Sequence, residues 1–144
     1  FGTACRDLSK LILLEIEKYR EKFSSADCEF IKSWPETFRL QGWYVRLIKG
    51  GFQEAHIHED GWLSGVVYLK TVENPAFDEG AIQFQIQGAD YERENDASPK
   101  RIHNPTVGDI VLFPSSLFHR TLPFNQEMSR CVVAFDICPW HTKT

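Results

Sequence analysis

Residues 51–69 read GFQEAHIHEDGWLSGVVYL, and the alternation inside this stretch decides the fold class. In an extended segment residues i and i+2 share a face, so His56 and His58 are expected to point the same way. Two imidazoles on one face of a strand are two-thirds of a metal site, and neutral imidazole suits iron, zinc, copper and nickel. Glu59-Asp60-Gly61 then reads as a turn. Trp62 to Thr71, rich in Val, Tyr and Leu, reads as a strand. The third ligand has to come from a distant strand.

Working outward, the same period of two recurs. Trp43, Val45 and Leu47 alternate with Tyr44, Arg46 and Ile48, and Gly50-Gly51 marks a turn. Ile82, Phe84 and Ile86 alternate with Gln83, Gln85 and Gln87; Ile110 to Phe113 and Cys131 to Ile137 are apolar runs of strand length. Short, evenly spaced strands with Gly and Pro turns predict a mainly β fold of the jelly-roll kind, a double-stranded β-helix or cupin-like barrel. No internal repeat is visible.

Upstream the period changes. Leu8, Leu11, Ile12, Ile16 and Tyr19 recur at roughly helical spacing, with Asp7 or Ser9 as a candidate cap. Ser24-Ser25-Ala26-Asp27 reads as a break with a new cap, then a short helix through Ile31 to Trp34 that Pro35 ends. These helices are expected to pack on the sheet within a single domain, 1–144, with a helical part at 1–37 and a jelly-roll core at 38–140. Residues 88–108 are polar and without periodicity, the signature of a long loop that overhangs a site.

The chain has 144 residues, a length that suits one domain. Its 16 basic and 20 acidic residues give a net charge of −4, which argues against a general nucleic-acid binder. No apolar run approaches membrane-spanning length. The four cysteines form no C-x-x-C pair, so they read as reduced, buried thiols of a cytoplasmic protein, and a zinc site built on them is not expected. The chain opens Phe-Gly-Thr without Met, which reads as a domain cut from a longer protein.

Residues 108–124, GDIVLFPSSLFHRTLPF, supply the distant histidine. A Pro-ended apolar strand brings His119 to a sheet edge where ligands can converge. His103 and His141 lack such surroundings and read as surface residues. Eleven positions after His119, Arg130 enters the apolar run Cys131 to Ile137. It is either a solvated strand-start residue or a buried fork awaiting a carboxylate, and the histidine cluster favours the carboxylate clamp.

Residues 51–69 resemble the iron-binding segment of a family of 2-oxoglutarate and iron(II)-dependent oxygenases, whose members carry a similar His-x-His followed by Ser-Gly-Val-x-Tyr. Residues 108–124 resemble that family's distal-histidine segment, and Arg130-Cys-Val-Val-Ala-Phe resembles its co-substrate strand. The resemblance covers residues 38–138; in some relatives such a domain follows tetratricopeptide repeats. It implies Fe(II) held by His56, His58 and His119, with 2-oxoglutarate as co-substrate and O2 as oxidant. Arg130 becomes the partner of the distal carboxylate of 2-oxoglutarate. Tyr68 falls where a related hydroxylase branch places a tyrosine on that carboxylate, though it reads equally as an ordinary strand aromatic. The implied reaction hydroxylates a C–H bond of a small molecule or protein side chain and decarboxylates 2-oxoglutarate to succinate and CO2.

One departure stands out. Most of the superfamily uses His-x-Asp or His-x-Glu with the distal His. The spacing here allows two registers, His56 with His58 or His58 with Asp60; the similar sequences keep both histidines and vary at the Asp60 position, which favours the first. Two rival readings keep the fold: a cupin-like metalloenzyme with three His ligands and no 2-oxoglutarate, and a non-catalytic jelly-roll binding module.

Overall fold

The two periods separate as expected in the computed structural model, which describes residues 2–88 and 99–140. Helices α1 (Gly2–Lys22) and α2 (Glu29–Lys32) precede strands β1 (Phe38–Ile48), β2 (Gln53–His56), β3 (Leu63–Lys70), β4 (Ile82–Gln85), β5 (Lys100–His103), β6 (Ile110–Pro114), β7 (Phe118–Thr121) and β8 (Ser129–Pro139). They form two four-stranded sheets, a major one in the order β1-β8-β3-β6 and a minor one in the order β2-β7-β4-β5. Every pairing is antiparallel. Apart from the β4–β5 hairpin, successive strands alternate between the sheets, which is the jelly-roll winding the sequence predicts.

Strand parity assigns the two faces of the major sheet. Leu63 and Val67 of β3 and Phe135 and Ile137 of β8 face outward, where Ile12 and Ile16 of α1 and Trp34 cover them. Burying each such side chain contributes about 1.5–3 kcal/mol. Gly65 is opposite Phe135 across the β3–β8 pairing, and a Cβ there would lie 2.2 Å from the tip of the Phe135 ring. Only a glycine leaves room for that ring. The opposite parity, Val66, Tyr68, Phe113 and Val132, packs against Ile82 in the space between the sheets.

Several local expectations are corrected. Helix α1 begins at Gly2, so Asp7 and Ser9 lie inside it, and the Ser9 hydroxyl donates to the Cys5 carbonyl at 2.8 Å. Leu11 is 48% exposed, being about a quarter-turn off the Ile12–Ile16 stripe. Cys28, not Asp27, is the N-cap of α2, without a side-chain hydrogen bond. The polar stretch 88–108 contains β5, and its part at 89–98 lies outside the described residues. Cys131 and Cys138 are buried as expected, but Cys5 and Cys28 are exposed, and all four are free thiols. His103 is half-buried, its Nε2 3.1 Å from Asp109, and His141 lies outside the described residues. Among the described residues, no helix is long and apolar enough to cross a membrane.

Candidate metal centre

Strand β2 ends at His56, which pairs directly with His119 on β7. His58 lies just beyond the strand rather than on it. Its backbone is held instead by its own N–H donating to the Ser115 carbonyl at 3.0 Å and by its carbonyl accepting from Gly61 N–H at 3.1 Å. The rings nonetheless converge: centroids are 4.4 Å apart for His56 and His119, 5.0 Å for His58 and His119, and 5.2 Å for His56 and His58. One ring nitrogen from each lies within 4.8 Å of the others. Asp60 is exposed in the turn and outside this cluster.

Each imidazole has an acceptor behind it. Nδ1 of His56 is 2.7 Å from the Glu54 carbonyl, and Nδ1 of His119 is 3.0 Å from the Leu117 carbonyl. Nδ1 of His58 is 2.7 and 2.9 Å from the two carboxylate oxygens of Asp136. A protonated Nδ1 donates to these acceptors, which leaves the Nε2 lone pair free as a metal ligand. Three neutral nitrogen donors arranged this way fit a first-row divalent cation such as iron. Burial pushes the His119 imidazole down to about 4, with the neighbouring His56 and His58 adding to the effect, so it is held in the neutral form, whose lone pair can bind a metal.

Asp136 is itself buried and accepts a second hydrogen bond from the Ser64 hydroxyl at 2.6 Å, while Ser64 and Ser115 are linked at 2.8 Å. A Cβ at Gly61 would come within 2.5 Å of the Ser115 hydroxyl, so this turn closes only with glycine. The sequence reading missed Asp136, Ser64 and Ser115. A signal for Asp136 was present: it shares strand parity with Arg130 and is a carboxylate inside an apolar run.

Arg130 is fully buried on β8, and its Nε donates to the Gly80 carbonyl at 2.9 Å. Gly80 has φ of +72°, a left-handed conformation that presents this carbonyl to the guanidinium. The guanidinium carbon sits 5.1 Å from the centroid of the Tyr68 ring. Burial pushes the Tyr68 phenol up to about 12 against the pull of the Arg130 charge, and among the described residues its hydroxyl makes no hydrogen bond of good geometry. Arg130 lines the same cavity as His56, His58 and His119, together with Trp43, Gln53 and Thr121; Tyr68 is buried against Arg130 and among Val66, Ile82, Phe113 and Val132. Trp43, 40% exposed, stands at the rim with its ring 5.5 Å from that of His58.

A family model described as "Putative 2OG-Fe(II) oxygenase" matches residues 41–136. No curated protein matches the chain in sequence. Among solved structures, a Pseudomonas putida prolyl-4-hydroxylase superposes with a TM-score of 0.60 at 17% identity, over 92% of this chain and 66% of that one. The viral collagen prolyl hydroxylase of Paramecium Bursaria Chlorella virus-1, in complex with 2-oxoglutarate, gives 0.56 at 15% identity, over 88% and 72%. HygX from Streptomyces hygroscopicus, with nickel and 2-oxoglutarate bound, gives 0.52 at 17% identity, over 71% and 56%. At these identities the likeness is one of fold. The chain spans about two-thirds or less of the length of most of these neighbours.

Proposed function

Because the chain belongs to the family of 2-oxoglutarate and iron(II)-dependent oxygenases, we propose that it hydroxylates a C–H bond while 2-oxoglutarate is decarboxylated to succinate and CO2. The observation that carries this reading is the convergence of three histidines, each with Nδ1 against an acceptor, and one buried arginine on a single cavity. His56, His58 and His119 would hold Fe(II) through Nε2, and the exposed position of Asp60 supports this register over the one that uses it. Bound iron with 2-oxoglutarate supplies the activation of O2.

The remaining roles belong to the chain. The Arg130 fork, fixed at Nε by Gly80, orients the distal carboxylate of the co-substrate through its terminal nitrogens. The Tyr68 hydroxyl, kept protonated by burial, is a donor for the same carboxylate. Val45, Val66, Ile82 and Val132 line the cavity and limit water around the reacting groups. Trp43 at the rim shapes access for the primary substrate. That substrate is a small molecule or a protein side chain: one HygX structure holds hygromycin B, and other neighbours are prolyl hydroxylases.

The inward-facing Arg130 separates this reading from a cupin without a co-substrate, which has no use for a buried cation beside its metal. The test is anaerobic titration of 2-oxoglutarate into the Fe(II) protein, following the metal-to-ligand absorption band, and then succinate release on admitting O2. A saturable band and succinate are expected. Stoichiometric iron binding with neither would leave the plain cupin; failure to bind iron would leave the non-catalytic binding module.

A further inference from the structure

His58 differs from the other two histidines in both position and partner. His56 and His119 sit on paired strands, and their Nδ1 atoms face main-chain carbonyls. His58 is off the strand, and its Nδ1 faces both oxygens of a buried carboxylate at 2.7 and 2.9 Å. Three elements converge on it. Asp136 comes from β8, Ser64 from β3, and Ser115, just after β6, accepts the His58 N–H through its carbonyl and meets Ser64 through its hydroxyl. The network thus fixes both the ring and the backbone of the one histidine that no strand fixes.

The charges point the same way. A ligand set of three neutral imidazoles lacks the anion that the usual two-His-one-carboxylate set places on the metal. A carboxylate bonded to the far nitrogen of a ligand imidazole polarises the ring and strengthens it as a donor. We propose that Asp136 is a positioning residue that supplies this missing negative charge through His58, one imidazole removed from the metal. Ser64 donates to the same carboxylate and restrains it, and Ser115 anchors Ser64. The proposal rests on the reading of His56, His58 and His119 as metal ligands.

The test uses Co(II) as the probe, with affinity measured by competition against a chromophoric chelator and the ligand-field spectrum recorded alongside. Asp136→Asn is expected to weaken Co(II) binding by about 10–100-fold and to shift the spectrum, because the partner is neutral although the acceptor remains. His119→Ala, which leaves the Asp136 network untouched, is expected to abolish binding. If Asp136→Asn binds Co(II) as tightly as the unaltered protein while His119→Ala does not bind, the role of Asp136 is overturned and the ligand set stands. If His119→Ala still binds tightly, the ligand set itself is wrong. Should Asp136→Asn fail to fold, nitrogen-detected NMR of the unaltered Zn(II)-loaded protein decides the matter. A His58 ring metallated at Nε2, with a slowly exchanging proton on Nδ1, supports the proposal; a ring metallated at Nδ1 overturns it.

Discussion

His56 and His119 are register partners across the β2–β7 pairing, their ring centroids 4.4 Å apart. Side chains directly opposite in an antiparallel pair share a face. The pairing therefore delivers two imidazoles to one point from segments far apart in sequence, and His58 closes the third side.

Removing either strand histidine should remove the metal. His56→Ala and His119→Ala are each expected to lose stoichiometric Fe(II), since two remaining ligands make a weak site. Asp60→Ala is expected to keep it, because Asp60 is exposed in a turn outside the cluster. Metal analysis after anaerobic reconstitution reads all three. Loss of iron in Asp60→Ala with retention in His56→Ala would establish the other register.

Acidity should destabilise the metal-free protein through His119. Its imidazole titrates near 4 in the fold against an ordinary 6.5. Below 6.5 the unfolded chain takes up a proton that the folded one refuses, so stability is complete above that pH and is lost as pH falls toward 4. The contribution is at most about 3 kcal/mol. Urea midpoints at pH 7 and pH 5 should differ less in His119→Ala than in the unaltered protein, whose midpoint should drop more.

Co-substrate affinity should depend on Arg130 without involving the metal. Arg130→Ala is expected to weaken 2-oxoglutarate binding by roughly 2–5 kcal/mol, as for breaking a buried charge pair. Arg130→Lys should recover only part of this, because a point charge cannot make two parallel hydrogen bonds. Tyr68→Phe, which removes a hydroxyl without a well-formed hydrogen bond among the described residues, should cost about 0.5–1.5 kcal/mol of the same affinity. Iron affinity without the oxoacid should be unchanged in all three. Anaerobic titration distinguishes these outcomes, and an unaltered curve for Arg130→Ala would contradict the clamp.

The outer face of the major sheet should carry stability rather than chemistry. Phe135 is fully buried there, its ring against Gly65. Phe135→Ala is expected to cost about 3–5 kcal/mol in urea denaturation. A variant within about 1 kcal/mol of the unaltered protein would contradict a stabilising role for this helix-covered face.

The legible parts of the sequence were those where burial imposes a period. Val45 on β1 and the Ile12–Ile16 stripe each face a core, and the apolar β3 and β8 are packed on both faces. Strand β5 reads KRIH and has three exposed residues of four, so no face imposed a pattern; its strand character comes from pairing with β4. His56 and His58 were legible from their i, i+2 spacing, and His119 and Arg130 because titratable groups stand out beside apolar runs. His58 shares the face of His56 without sharing its strand. It reaches its place through Ser115 and Gly61, contacts made by a closed turn and a distant loop, which a period of two does not encode. Asp136 was legible only by counting from Arg130 along the same face.

The strands of the two sheets also differ in length. All four strands of the minor sheet have four residues, whereas β1 and β8 of the major sheet have 11 each. Short pairings open at low free energy, and a ligand that binds only the closed form raises that energy. An ion held between β2, β7 and the His58 turn would act as a rivet for the weaker sheet. Amide hydrogens of the major sheet should then exchange slowly with or without metal, while those of the minor sheet become slow only in its presence.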